Sequence, residues 1–198
     1  IDRYFSIQKQ EINLKDAEIT AENQTYNGRE QKPAVTVKVS GRVIDPSEYS
    51  VLYSENINAG TARITVNGLS DSFKNTGYGT FTILPKQIEK CKVSYTKSTF
   101  YTGKAVTPSV IVKDTARNAV LSAGASADYT VSYQSNTEPT TKAVIQITGN
   151  GNYTGTLTQY FAIVKQTTPV TKTDLSAAVI TVADQTYTGK ALTPAVAV

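Results

Sequence analysis

The chain has no histidine, no tryptophan and no methionine among its 198 residues, and only one cysteine. Without histidine it lacks the commonest general base, the Ser-His and Cys-His nucleophile pairs, and the commonest transition-metal ligand. Cys91 alone can neither close a disulfide within the chain nor build a thiolate metal cage. At the head of a strand-like run it reads as a small inert side chain. No apolar run is long enough to span a bilayer, so this segment is not expected to insert in a membrane. Charge of one sign is sparse as well. The 20 basic and 16 acidic residues are scattered, for a net charge of +4, and form no block of the kind that binds nucleic acid or an acidic membrane surface. No glycine-rich phosphate loop joins a strand to a helix, since Gly149-Asn150-Gly151-Asn152 is a turn between strand-like runs. The sequence therefore nominates no catalytic residue, no cofactor-binding residue and no metal ligand, and the chain is not expected to be an enzyme.

What is present is strand chemistry. Val, Ile, Ala and Tyr alternate with Thr and Ser, and no stretch sustains helical spacing of apolar residues. The predicted class is all-β. Period-two alternation assigns faces. Val35, Val37 and Val39 share one side, opposite Thr36 and Lys38. Tyr49, Val51 and Tyr53 form a second such face, Tyr129, Val131 and Tyr133 a third, and Ala62, Ile64 and Val66 a fourth. One apolar and one wet face per strand is what an antiparallel sheet packed on a second sheet requires.

The chain also repeats itself. Tyr26-Asn27-Gly28, Tyr101-Thr102-Gly103 and Tyr187-Thr188-Gly189 are followed, seven residues after each tyrosine, by Pro33, Pro108 and Pro194. Each glycine is expected at a tight turn with positive φ, and each proline at the start of a strand. Glu48-Tyr49-Ser50-Val51-Leu52-Tyr53 matches Asp128-Tyr129-Thr130-Val131-Ser132-Tyr133, and Phe81-Thr82-Ile83 matches Phe161-Ala162-Ile163 and Phe5-Ser6-Ile7. Blocks recurring in fixed order predict tandem units. Residues 1–9 read as the last strand of a preceding repeat, 12–86 and 89–165 as two repeats, 166–173 as an extended linker, and 174–198 as the truncated start of a third. Opening at Ile1 without a leader, the chain reads as an interior stretch of a longer protein. Six or seven short strands in about 75 residues, punctuated by Gly, Asn and Pro, predict an immunoglobulin-like β-sandwich in each repeat.

The string Tyr-Thr-Gly-Lys-Ala-x-x-Pro-x-Val, then Asp-Tyr-Thr-Val-Ser-Tyr, then Ile-x-Ile-Thr-Gly-x-Gly-Asn-Tyr-Thr-Gly-Thr and Phe-x-Ile resembles the bacterial Ig-like tandem repeats of Firmicutes cell-surface and secreted proteins. The likeness covers nearly the whole chain, best over 101–163 and more weakly over 26–83, where Asn27 stands for the threonine and the Gly-Asn-Tyr-Thr-Gly block is degraded. The resemblance implies an extracellular, cell-surface or cell-wall-associated location and a non-catalytic spacer role that supports adhesion. Its implied partners are neighbouring repeats. The alternative is a module that binds a glycan or host protein through loops at one end of the sandwich, with Leu69–Gly77 and Asp114–Ala127 as the places to look. The bare edges of 174–198 predict strand exchange between the truncated ends of two copies.

Other candidates read as structural. Glu48 and Asp128 precede core tyrosines at equivalent positions, where a turn bond to backbone N–H groups is expected. Asp16, Glu18, Glu89 and Asp174 lie near the junctions but form no dense calcium-binding cluster. Lys9, Lys86 and Lys165 recur after the closing strands, where an exposed strand end is expected rather than a Lys–Asn cross-link. Of the 12 tyrosines, Tyr49, Tyr53, Tyr129 and Tyr133 on apolar strand faces and Tyr26, Tyr101 and Tyr187 beside turns are expected in the core with hydroxyls bonded at its rim. The sequons at Asn23 and Asn152 read as by-products of threonine-rich turns.

Overall fold

Residues in an extended chain point to opposite sides in turn, so alternating β-branched and polar residues fix the strands before any long-range contact forms. The computed structural model describes residues 11–166 and 179–197. Over these residues the protein is all-β, with three short 3-10 turns at Leu14–Asp16, Pro46–Glu48 and Ile88–Lys90. The closing strand expected at 1–9, most of the expected linker and residues 174–178 lie outside the described residues. By its contacts the chain divides into Ile1–Lys165 and Gln166–Val198.

In the first of these units the chain forms β1 (Ile12–Asn13), β2 (Glu18–Ala21), β3 (Gln24–Thr25), β4 (Val35–Val39), β5 (Arg42–Val43), β6 (Tyr49–Ser54), β7 (Gly60–Gly68), β8 (Phe73–Lys74) and β9 (Thr76–Leu84). These make a three-stranded sheet, β2-β4-β5, and a four-stranded sheet, β3-β9-β7-β6, with β1 and β8 as a short separate pair. There follow β10 (Lys86–Gln87), β11 (Lys92–Tyr95), β12 (Ser98–Phe100), β13 (Val110–Asp114), β14 (Ala119–Val120), β15 (Tyr129–Gln134), β16 (Thr140–Gly149), β17 (Tyr153–Thr154) and β18 (Thr156–Val164). They repeat the arrangement as β11-β13-β14, β12-β18-β16-β15 and the pair β10-β17. Lys86 and Gln87 thus open the second sheet pair rather than close the first.

The expected faces are the observed ones. Val37, Ala62, Ile64 and Val66 are fully or almost fully buried, while Thr36 and Arg63 are exposed. The tyrosines stitch one sheet to the other. Tyr49 donates its hydroxyl to the Val35 carbonyl at 2.9 Å and Tyr53 to that of Pro33 at 2.5 Å. Tyr129 and Tyr133 do the same to Val110 and Pro108, at 3.1 and 2.5 Å. Each ring fills the core while its one polar atom finds an acceptor, which removes the cost of burying it.

Two details depart from the expectations. The four-stranded sheets are mixed, because β3 pairs parallel with β9 and β12 parallel with β18. A chain that crosses from one sheet to the other after its first strand continues in the same direction, so it meets the closing strand parallel. Pro33, Pro108 and Pro194 also sit two residues ahead of their strands, which begin at Val35, Val110 and Val196. There the carbonyls of Pro33 and Pro108 serve the tyrosines.

In the second unit β19 (Thr181–Val182) pairs antiparallel with β20 (Val196–Ala197). The partners are Thr181 with Ala197 and Val182 with Val196, the register in which Thr20 and Ala21 meet Thr36 and Val35. Gly189 holds φ +74°, against +76° at Gly28 and +74° at Gly103, so all three Tyr-x-Gly turns use the left-handed conformation that glycine tolerates. Val179, Ile180 and Tyr187 are largely exposed.

Candidate functional site: a buried charge cluster between the sheet pairs

Strand register places the cluster. The short parallel pair β10-β17 sets Lys86 opposite Tyr153, and β13 ends on Asp114. In the first sheet pair the matching registers hold Ile12 opposite Phe73, and β4 ends on Val39. Three apolar side chains in one sheet pair are therefore replaced by a lysine, a carboxylate and a phenol in the other.

Asp114 has no exposed surface and Lys86 keeps 13% of its side chain exposed, yet their charges meet at 2.6 Å. The second carboxylate oxygen accepts the Tyr153 hydroxyl at 3.0 Å. Oδ1 also accepts the backbone N–H groups of Ala116 and Arg117, at 3.1 and 3.3 Å, as an aspartate at the start of a turn commonly does. Arg117 in turn donates Nη1 to the Tyr153 hydroxyl at 2.7 Å. Burial pushes the Asp114 carboxyl upward, but the bonds from Lys86, Tyr153 and the Arg117 amide outweigh it and hold the group below its ordinary value. Burial, reinforced by the neighbouring carboxylate, drives the Tyr153 phenol well above its ordinary value despite the opposing arginine. The cluster is thus a fixed ion pair with a neutral phenol between carboxylate and guanidinium.

The first sheet pair completes it. Tyr26 is buried, its ring edge-on to Tyr153 at 5.7 Å, and the Arg117 guanidinium lies 4.9 Å from its centroid. A Cβ at Gly28 would stand 2.3 Å from Arg117 Nε, so a side chain there would displace the guanidinium from Tyr26, and the φ of +76° itself favours glycine. Asn152 seals the far side, accepting from the Ala59 N–H at 2.7 Å and donating to Asn58 Oδ1 at 3.1 Å. The reach of Arg117 comes from loop length. Two residues, Ser40 and Gly41, join β4 to β5, whereas four, Thr115 to Asn118, join β13 to β14.

The residues singled out from sequence fall as follows. Asp128 caps a turn, accepting from the Ser122 N–H at 2.9 Å. At the equivalent site Glu48 closes a 3-10 turn that Asp45 caps instead, through the Ser47 N–H at 2.9 Å. The junction acids are dispersed: Asp16 accepts from Asn13, Glu18 lies 3.9 Å from Lys38, and Glu89 accepts from the Thr156 N–H, while Asp174 lies outside the described residues. Among the described residues no three acids or cysteines gather as a metal site would require. Lys86 is not an exposed strand end. Strand β10 carries it inward to Asp114. Cys91 is buried, and burial with the nearby Asp114 charge raises its thiol. Asn23 accepts from the Thr82 N–H at 2.9 Å, so both sequon asparagines are held in hydrogen bonds. Tyr101 and Tyr187 depart from the expected core placement and are exposed, as are Tyr78 and Tyr160 on outer sheet faces. Reading one residue pattern over the other would have flagged the cluster, because Ile12, Val39 and Phe73 turn polar together.

No protein-family model matches the chain, and no curated protein matches it.

Proposed function

We propose that this chain is a non-catalytic spacer built of tandem immunoglobulin-like β-sandwich repeats, and that the charge cluster fixes one repeat rigidly on the next. The observation that carries this reading is the burial of Tyr26 of one sheet pair against Tyr153 and Arg117 of the other. Identical strand order in the two sheet pairs, and the same opening register in β19-β20, support the reading as repeats. A non-catalytic role is supported by the bonding of Asp114, whose two oxygens are committed to Lys86, Tyr153 and backbone N–H groups with no surface left for a substrate. Placement at a bacterial cell surface or in its wall rests on the sequence resemblance alone.

The alternative, glycan or host-protein binding through end loops, is less favoured at one of its two loops, since residues 114–117 are committed to the junction. Strand exchange between chain ends would use the exposed apolar residues of 179–182. Residual dipolar couplings of the 198-residue chain test the spacer reading. A single alignment tensor for residues 12–84 and 86–164 is expected, and two independent tensors would sink it.

A further inference from the structure

Beside the Tyr26 contact lies a cleft of about 440 Å³ lined by Asn27, Gly28, Arg29, Lys86, Ala116 and Arg117. Its walls are made of donors. Asn27 Oδ1 is occupied by the Arg29 N–H at 2.9 Å, which leaves the amide nitrogen of Asn27 as its uncommitted polar end among the described residues. Of the five N–H groups on Arg117, only Nη1 meets an acceptor among the described residues. The Arg29 side chain has no carboxylate partner among those residues, and its acidic neighbour Glu30 is paired with Lys32 at 2.6 Å. Three cations thus face one cleft against a single carboxylate, Asp114, which is sealed behind them.

We propose that this cleft binds a phosphate group, held between Arg29 of one sheet pair and Arg117 of the other. A tetrahedral oxyanion supplies acceptors in several directions at once, and guanidinium groups match it with paired, charge-assisted hydrogen bonds. The anion would bridge both sheet pairs, so binding would tighten the joint. The inference rests on the geometry of the cleft and not on the spacer reading, and the measurements that test the two are separate.

The test is an NMR titration of the 198-residue chain with inorganic phosphate, with diethyl phosphate and with acetate, each against chloride at equal ionic strength and neutral pH. Phosphate is expected to shift the backbone amides of residues 27–29 and 116–117 saturably and to raise the melting temperature. A matching response to the diester assigns the site to phosphate groups within a polymer, and a response to inorganic phosphate alone assigns it to the free ion. Arg29→Gln removes one exposed cation without touching the buried ion pair. It should keep the wild-type melting temperature in chloride and weaken phosphate binding roughly tenfold, as loss of one charge-assisted contact does. Amides that fail to respond, an equal response to acetate, or an Arg29→Gln chain that binds phosphate like the wild type would each overturn the proposal.

Discussion

Replacing Asp114 alone should cost far more stability than replacing the whole polar triad. In Asp114→Val the lysine loses its partner at 2.6 Å while keeping only 13% of its side chain exposed, and the Tyr153 hydroxyl and two backbone N–H groups lose their acceptor. Breaking a buried pair by removing one partner costs about 3–5 kcal/mol, because an uncompensated charge stays behind. The triple variant Lys86→Ile, Asp114→Val, Tyr153→Phe instead installs the residues that the first sheet pair carries at the matching registers, Ile12, Val39 and Phe73. Well-packed apolar replacement of a buried ion pair is neutral or stabilising by about 1–4 kcal/mol. Against this stand the lost acceptors of Arg117 Nη1 and of the Ala116 and Arg117 backbone N–H groups, about 1–3 kcal/mol where water does not replace them. The triple variant should therefore lie within about 3 kcal/mol of wild type and be more stable than Asp114→Val. Urea unfolding followed by far-ultraviolet circular dichroism measures both, with stability taken from the midpoint and slope. A triple variant as unstable as the single one would refute the argument that charge burial, rather than shape, sets the cost.

The Tyr-x-Gly motif should matter unequally at two of its three copies. Tyr26→Ala removes a ring that is 6% exposed and should cost about 3 kcal/mol, whereas Tyr101→Ala removes one that is 36% exposed and should cost under about 1 kcal/mol. Equal losses by thermal unfolding would contradict the junction described above. Because the Asp114 carboxyl is held below its ordinary value, its contribution is complete above the unfolded-state pKa of about 3.9 and is lost as pH falls through the lower folded-state value. Acid unfolding of Asp114→Asn should accordingly be less steep than that of wild type, and identical slopes would remove this group from the acid transition. Tyr53→Phe and Tyr133→Phe each delete a hydroxyl bonded to a proline carbonyl and should each cost about 0.5–1.5 kcal/mol in the same urea assay. A cost at only one of the two would break the equivalence of the sheet pairs.

Local chemistry alone determined much of this protein. The inward sets Val35-Val37-Val39 and Ala62-Ile64-Val66, the left-handed glycines of the Tyr-x-Gly turns and the core placement of Tyr49 and Tyr129 all follow from residue type and a period of two. These depend only on how neighbouring residues along an extended chain face, so they are legible in one dimension. Whether a strand-switching segment runs parallel or antiparallel to its neighbour was decided in three dimensions, since β3 and β12 are placed by which sheet they join. The site was decided there too. Lys86, Asp114, Arg117 and Tyr153 come from three separate stretches, and they meet Tyr26 because β10 carries Lys86 inward and the β13-β14 turn is two residues longer than its counterpart. Tyr26 and Tyr101 share a motif but not an environment. Burial of a surface tyrosine depends on what long-range register brings against it, and no local pattern carries that information.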